Sequence, residues 1–402
     1  MTDFADELSR LLAERGMSQR ELARRSHYDS GYVNKLCRGV KQATPAVAER
    51  LDEVLDAGGA LMALVNRRRV LAGAAAIAGA SLLGALDADG RERLAWAQAH
   101  PRVVDQAAVD SLTSVLAAQR SAEDSLGSAA VLGPVTAQLA TIEDLAAEAR
   151  GPVRHAVIDV AQQWAQFGGW LHQNTGDAAA ARTRYAQSLE WATEIGDRTM
   201  IATVLALRGG SALLAGDIGS AIGLGEAAQR DKTVAAGQRA WGADLQARAL
   251  ALAGDGRATE RKLQQAHDLA ALLEDRPRDR RSWTYWMAPG WFACQRGVAL
   301  GYLAGDPRYR DLAVSELESG YAGLPEDYQS SEVAAEFLVY LAAVHVRAGD
   351  AEQASEVALR AADIARLTGS VRLRTMLTGL HAGMAARWPA NQQVAELAEA
   401  LR

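Results

Sequence analysis

The side chains best suited to bind another molecule by charge and hydrogen bonding cluster close to the N-terminus. Eight basic and three acidic residues lie between Arg15 and Arg50, a net charge of +5, whereas the whole chain of 402 residues carries −6. Guanidinium, ammonium and carboxamide groups form hydrogen bonds with the phosphates and base edges of nucleic acids. The acidic chain as a whole has no general attraction for nucleic acid, so any such contact should be confined to this basic segment.

Short helices must position these side chains. The apolar residues that recur at helical spacing are Phe4, Leu8, Leu11, Leu12, Leu22, Ala23, Val33, Leu36, Val47, Leu51, Val54 and Leu55. Glycine is typical of helix ends, whereas serine, aspartate and a first-turn proline are typical of helix starts. The stop signals are Gly16 and Gly39, and the start signals are Ser18 (with Glu21 as a capping box), Asp29 and Pro45. These signals predict four short helices.

Residues 18–39 carry a more specific pattern. Its signature residues are Gln19, Leu22, Ala23, Val33, Leu36 and Gly39, followed by Pro45. The pattern resembles the helix-turn-helix of the Cro/repressor (XRE) family of transcriptional regulators, and the resemblance covers about residues 4–64. The family usually has glycine and a small aliphatic residue in the turn, whereas this chain has His27 and Tyr28. Histidine tolerates a positive φ better than most residues do, so we expect the turn to form.

The resemblance implies that the second helix spans the DNA backbone and that the third enters the major groove. Carried over by position, the residues facing base edges or the groove are Ser30, Gly31, Asn34 and Lys35, with Tyr32 able to pack on a thymine methyl group or a sugar. The phosphate contacts carried over in the same way are Gln19, Arg20, Arg38 and Lys41. We expect Lys35 to be the main base-reading residue, and Arg24 and Arg25 to lie on a solvated face.

One such domain contacts only a few base pairs, so specificity usually requires a dimer on a two-fold related site. The resemblance therefore implies a homodimer on a double-stranded DNA operator that is an inverted repeat. The alternative interpretation is a helical bundle that serves only for packing.

A second segment has an unusual composition. Residues 70–86 contain no charge, are rich in alanine and glycine, and follow three arginines at residues 67–69. A membrane-spanning helix needs about 20 predominantly apolar residues. This run is shorter, and its small residues contribute little insertion energy. We favour a packed or interfacial helix over a membrane segment.

Beyond about residue 100 the chain is alanine-rich and is punctuated by Gly-Asp pairs. They are Gly176-Asp177, Gly216-Asp217, Gly254-Asp255, Gly305-Asp306 and Gly349-Asp350. A glycine that ends one helix and an aspartate that caps the next predict stacked helical hairpins with a period near 40 residues. The pattern over residues 155–370 resembles the tetratricopeptide repeat.

The predicted fold is therefore all-α. It has a helix-turn-helix domain at residues 1–66, an apolar linker helix at 67–100 and a tetratricopeptide-like α-solenoid at 101–402.

Aromatic residues form the second candidate site. Five of the chain's 22 aromatic residues lie at positions 283–292, next to Arg280 and Arg281. The concave face of a solenoid commonly holds a ligand, and aromatic walls with arginines suit a peptide carboxylate or an amphipathic small molecule. The candidate ligand residues are Trp170, Trp241, Arg280, Arg281, Trp283, Tyr285, Trp286 and Trp291. The alternative is that these rings fill an irregular core between repeats.

The sequence contains no motif that indicates enzymatic chemistry. No phosphate-binding loop, zinc-protease motif or nucleophile elbow is found, and the seven histidines lack metal-ligand spacing. We therefore expect neither a catalytic site, a metal nor a cofactor. The polar N-terminus is unlike a secretory signal, and two distant cysteines, Cys37 and Cys294, exclude a disulfide framework, so a cytoplasmic location is expected.

The sequence thus favours a transcriptional regulator whose repeat domain dimerises and senses a peptide or small molecule. The alternative is a protein-interaction platform, tethered to a membrane through residues 70–86.

Overall fold

The computed structural model describes residues 4–26, 28–38, 45–61, 88–99, 104–275 and 282–402, and these contain helices and no strand. The chain divides into two compact units, Met1–Ile77 and Ala78–Arg402. Several predicted features lie outside the described residues: the turn residue His27, the helix end at Gly39, Lys41, the apolar run 70–86, Arg280 and Arg281.

The N-terminal unit is a bundle of four short helices. They are α1 (Phe4–Glu14), α2 (Gln19–Ser26), α3 (Ser30–Cys37) and α4 (Pro45–Leu55). Its core contains five fully buried leucines that the helical spacing had indicated: Leu8, Leu22, Leu36, Leu51 and Leu55. The structure confirms that they share one core.

Local capping explains where these helices begin. The Ser18 hydroxyl accepts a hydrogen bond from the Glu21 backbone N–H at 3.2 Å. The Asp29 carboxylate accepts from the backbone N–H groups of Gly31 at 2.8 Å and Tyr32 at 3.1 Å. Both side chains satisfy N–H groups that have no partner inside the helix, as the sequence predicted. The fourth helix begins at Pro45, also as predicted.

The second unit is built from longer helices. They are α5 (Ala88–Ala99), α6 (Gln106–Leu126), α7 (Ser128–Glu148), α8 (Val153–Asn174), α9 (Ala178–Ile195), α10 (Arg198–Leu214), α11 (Ile218–Gln229), α12 (Ala236–Leu252), α13 (Gly256–Asp275), α14 (Pro289–Tyr302), α15 (Pro307–Ala322), α16 (Glu332–Ala348), α17 (Ala351–Thr368), α18 (Val371–Arg387) and α19 (Gln392–Ala400). From α8 to α17 they pack mainly as antiparallel hairpins of consecutive helices. Single-turn 3₁₀ helices at Ser282–Thr284 and Tyr328–Ser330 interrupt this pattern.

The Gly-Asp pairs mark hairpin turns, as predicted. At the first pair, Gly176 has φ +89° and Asp177 caps α9 by accepting from the Ala180 N–H. The pairs at 216–217, 254–255 and 349–350 follow the same geometry. Gly305 differs, because α14 ends at Tyr302 and places Gly305 one residue further from the helix end. A sixth Gly-Asp pair, residues 196–197, was not among the predicted turns and joins two successive hairpins between α9 and α10.

Glycines bring paired helices into backbone contact. A Cβ atom built at Gly320 of α15 would lie 2.7 Å from the Cys294 backbone nitrogen and 2.8 Å from the Gly290 carbonyl oxygen. Side-chain carbon atoms essentially never approach backbone this closely. Helices α14 and α15 can therefore cross here only because both surfaces lack side chains.

The array of hairpins closes on itself. The backbone N–H of Ser128, at the start of α7, donates to the Glu332 carboxylate at the start of α16, over a sequence separation of 204 residues. The Arg372 guanidinium of α18 lies 5.5 Å from the ring centre of Trp170 in α8. Early and late hairpins of the second unit are thus held in direct contact.

Hydropathy gives one further result. Within the described part of the chain, no helix combines the length and the apolar character needed to cross a membrane.

Candidate functional site

The exposed face of α3 carries the predicted base-reading residues. Ser30, Gly31, Asn34 and Lys35 are all exposed, whereas Val33 and Leu36 of the same helix are fully buried. At 3.6 residues per turn, the four exposed positions fall within an arc of about 140°. The bundle therefore buries one side of α3 and presents the other side to solvent.

A hydrogen bond joins this face to the start of α2. The Asn34 side-chain amide donates to the Gln19 Oε1 atom at 3.0 Å. Gln19 was predicted as a phosphate contact and Asn34 as a groove contact, so the structure places the two predicted surfaces side by side. Tyr32 instead is half-buried, with its ring 5.5 Å from that of Tyr28. Burial raises the pKa of the Tyr32 hydroxyl, so this ring contributes to the bundle core as well as to its surface.

Five arginines of the bundle have partners within it. Arg10, Arg24, Arg25 and Arg50 form ion pairs with nearby glutamates. Arg15 donates to the carbonyl groups of Leu55 and Asp56 at the end of α4.

Three exposed cations have no ion-pair or hydrogen-bond partner among the described residues: Arg20, Lys35 and Arg38. They lie at the start of α2, on the exposed face of α3 and just after α3. Their charges are available to an external anion.

The second unit contains a partly open cavity of about 180 Å³. A single water molecule needs roughly 10–15 Å³ by a comparable measure, so the cavity has room for a small organic molecule. All six predicted ligand aromatics line it: Trp170, Trp241, Trp283, Tyr285, Trp286 and Trp291. They are brought together from α8, α12, α14 and the segment between α13 and α14.

Three of these tryptophans form one edge-to-face cluster. The ring centres of Trp241 and Trp286 are 5.2 Å apart, those of Trp241 and Trp291 are 6.0 Å apart, and those of Trp286 and Trp291 are 4.7 Å apart. Such contacts are favoured because the electropositive edge of one ring meets the electronegative face of another. Trp291 is buried in the main core, and Trp241 and Trp286 pack against that core. These rings therefore belong both to the core and to the cavity wall.

Three arginines from distant helices also line the cavity and were not among the predicted ligand residues. They are Arg120 of α6, Arg248 of α12 and Arg372 of α18. No local sequence motif distinguishes them from surface arginines. Arg372 is paired with the Glu336 carboxylate. Arg120 and Arg248 have no carboxylate within 4.0 Å among the described residues.

Arg248 is held by neutral groups. Its guanidinium donates to Gln295 Oε1 at 3.1 Å and to the Tyr340 hydroxyl at 3.0 Å. Asp244 lies one turn earlier on the same helix and is buried. Burial raises the pKa of the Asp244 carboxyl well above its usual range, which favours its neutral form.

Two buried glutamates contact the Ser128 hydroxyl where early and late hairpins meet. The Ser128 hydroxyl lies 2.8 Å from a Glu123 carboxyl oxygen and 2.9 Å from a Glu332 carboxyl oxygen, and it accepts from the Asn174 amide at 2.9 Å. A hydroxyl has one hydrogen, so it donates to only one carboxyl, and the other contact is a hydrogen bond only when that carboxyl is protonated. Burial, with repulsion from Glu332, raises the pKa of Glu123 to about 8. Glu123 is therefore largely protonated at neutral pH.

Neither cysteine is placed as a nucleophile. Burial raises the pKa of the Cys294 thiol to about 12, so it remains protonated at neutral pH. Burial also raises the pKa of the half-buried Cys37 thiol. Among the described residues, no group of three or more histidine, cysteine, aspartate or glutamate side chains is arranged to hold a metal ion.

Comparison with known proteins assigns the first unit. A family model described as a helix-turn-helix domain matches residues 3–65. No curated protein matches the chain at a significant level of similarity. The matched range covers α1 to α4, and with them the exposed face of α3 and the three unpaired cations. The chain therefore carries an N-terminal helix-turn-helix domain followed by a helical repeat-like region, and this domain indicates a DNA-binding regulator.

Proposed function

We propose that the protein is a cytoplasmic, sequence-specific transcriptional regulator that binds an inverted-repeat operator as a homodimer. The observation that carries the proposal is the location of Arg20, Lys35 and Arg38. These exposed cations lack partners among the described residues and flank or occupy the exposed face of α3. In this motif the third helix reads the major groove, while the residues around it contact phosphates.

We further propose that the second unit senses a small molecule in its cavity. An open solenoid offers a long concave groove to an extended peptide, whereas contact between early and late hairpins leaves a compact, partly open cavity. Its limited volume of about 180 Å³ therefore supports the small-molecule alternative. Ligand binding would change how the second units present two recognition helices to one operator. A coupling free energy of about 1–3 kcal/mol is enough for such regulation.

The direct test is selection of bound genomic fragments by the full-length protein at about physiological salt, where nonspecific binding is weak. Recovery of an enriched inverted repeat supports a dimeric, sequence-specific regulator. Enrichment of single half-sites would support sequence reading and reject the dimer. Uniform recovery of fragments, with and without cell extract as a source of the signal, would reject the proposal.

Lys35→Ala is expected to relax sequence discrimination. Loss of one base contact costs about 1–3 kcal/mol, so the preference for the correct base at one position should fall roughly 5–150-fold. Competition binding with every single-base variant of the operator measures this effect. If the selected sequence is unchanged, Lys35 does not read a base.

Arg20→Ala and Arg38→Ala are expected to weaken binding to all sequences about equally. Each variant should also reduce the slope of log affinity against log salt concentration by about 1, because one phosphate contact is lost. Arg24→Ala is the matched control, since Arg24 is exposed on α2 but paired with Glu21 at 2.6 Å. A control that loses as much affinity as Arg20→Ala would contradict the assignment.

A further inference from the structure

We propose that the cavity of the second unit binds a small aromatic carboxylate, with the carboxylate held by Arg120 and the ring packed against the tryptophans; this deepens the sensing role proposed above and rests on it. Three features of the cavity support this chemistry. They are an unpaired buried cation, a wall of aromatic rings and a charge balance that suits a single negative charge.

Arg120 is the unpaired cation. Its relative exposure is only 9%, and no described carboxylate lies within 4.0 Å of it. Its guanidinium makes two long hydrogen bonds, at 3.4 Å to the Gln163 carbonyl and at 3.5 Å to Gln166 Oε1. Burial lowers its pKa to about 10, so it is still charged at neutral pH. Buried charges in proteins are normally paired, and a carboxylate matches the two-pronged guanidinium geometry.

The rings next to Arg120 attract it without satisfying its hydrogens. Its central carbon lies 5.7 Å from the ring centre of Phe167 and 5.8 Å from that of Trp283. Cation–π contacts stabilise the charge but supply no acceptor oxygen. An anionic group from outside the chain would provide it.

The tryptophan cluster provides a surface for a flat apolar body. Trp241, Trp286 and Trp291 contact one another edge to face and all line the cavity. The aromatic ring of a ligand can make further edge-to-face contacts with these tryptophans. Polar groups at defined points in an otherwise aromatic wall are typical of small-molecule sites.

The acids of the wall favour one negative charge over two. Glu336 is already paired with Arg372, and the Asp124 carboxylate accepts from the Tyr285 hydroxyl. The pKa of Glu123 is raised by burial to about 8, so this carboxyl is largely neutral at pH 7. With these carboxyls present, a singly charged carboxylate is accommodated better than a doubly charged phosphate monoester.

The test compares acids with their neutral amides by isothermal titration calorimetry on the full-length protein. The probes are benzoate, 2-naphthoate and indole-3-acetate, each paired with its carboxamide. We expect at least one acid to bind 10-fold or more tightly than its amide. Arg120→Gln should weaken the acid about 10-fold or more and leave the amide unchanged, and Arg120→Lys should give an intermediate loss because it keeps only the charge.

Arg184→Gln is the matched control, because Arg184 is a partly buried arginine paired with Glu143 and does not line the cavity. It should leave both affinities unchanged. Circular dichroism and thermal unfolding establish that each variant is folded, and Arg120→Lys keeps the test decisive if Arg120→Gln does not fold. The proposal is overturned if no acid binds more tightly than its amide, or if folded Arg120 variants retain the full preference.

These measurements contain no DNA. Acid binding by a protein that selects no operator would reject the regulatory function and leave this site in place. Operator selection by a protein without acid preference would do the reverse.

Discussion

Replacing Glu123 with glutamine should remove much of the loss of stability that the wild-type protein shows between neutral and mildly alkaline pH. Glutamine has the shape of a protonated glutamate. The Trp170 indole and the Ser128 hydroxyl meet the same oxygen of Glu123, Oε1, at 3.1 and 2.8 Å, and the Oε1 of a glutamine can accept from both. The Ser128 hydroxyl still accepts from Asn174, and the Ser128 backbone N–H still donates to Glu332, so the closure keeps these contacts.

The direction follows from proton binding. Burial raises the pKa of Glu123 to about 8 in the folded protein, against 4.5 for the ordinary carboxyl. Between these values the unfolded chain has lost the proton that the folded protein keeps, so stability falls as pH rises. At about 1.4 kcal/mol per pH unit, the full penalty is on the order of 5 kcal/mol, and about a third of it develops between pH 6.5 and 8.

Urea unfolding at pH 6.5, 7.25 and 8 measures this difference. The window avoids most of the titration of Asp124, whose pKa is raised by burial to about 6. Glu143→Gln is the control, because Glu143 is a partly buried glutamate whose carboxylate is paired with Arg184. That variant should keep the wild-type pH dependence. If the free energy of unfolding depends on pH in the same way for wild type and Glu123→Gln, Glu123 does not keep a proton at neutral pH.

Gly320→Ala should destabilise the second unit by about 1–2 kcal/mol. The added methyl group would lie 2.7 Å from the Cys294 nitrogen and 2.8 Å from the Gly290 carbonyl, so whole helices must separate to admit it. Overpacking costs about 1–3 kcal/mol or more, and only about 1 kcal/mol is recovered because alanine favours the helix. Because α14 carries Trp291 and Gln295, its displacement should also weaken any cavity ligand.

Gly379→Ala in α18 provides the matched control. This glycine is exposed, and nothing lies within 4 Å of the position of the added carbon. Only the helix propensity changes, so a gain of about 0.5–1 kcal/mol is expected. Thermal and urea unfolding of both variants should therefore give opposite signs. Equal effects would mean that α14 and α15 do not cross at the Gly290–Gly320 contact.

Helix positions and turns were predictable because their signals are local. The capping aspartates at 29, 177 and 217 act on N–H groups two or three residues away, and the structure confirms each of them. The exposed face of α3 was predictable for the same reason, since helical periodicity alone separates Lys35 from Leu36. The aromatic candidates could be selected by composition, although composition could not distinguish core from cavity wall.

The sequence by itself thus determined an all-α chain, its helix-turn-helix domain and the side of α3 that faces solvent. Tertiary structure alone decided which residues from separate hairpins meet. The Ser128–Glu332 contact joins residues 204 positions apart, and Arg120 of α6 meets Trp283 from the segment before α14. Such contacts depend on the small rotation between successive hairpins, which accumulates along the array. The residues that come into contact in this way share no periodic pattern in the sequence.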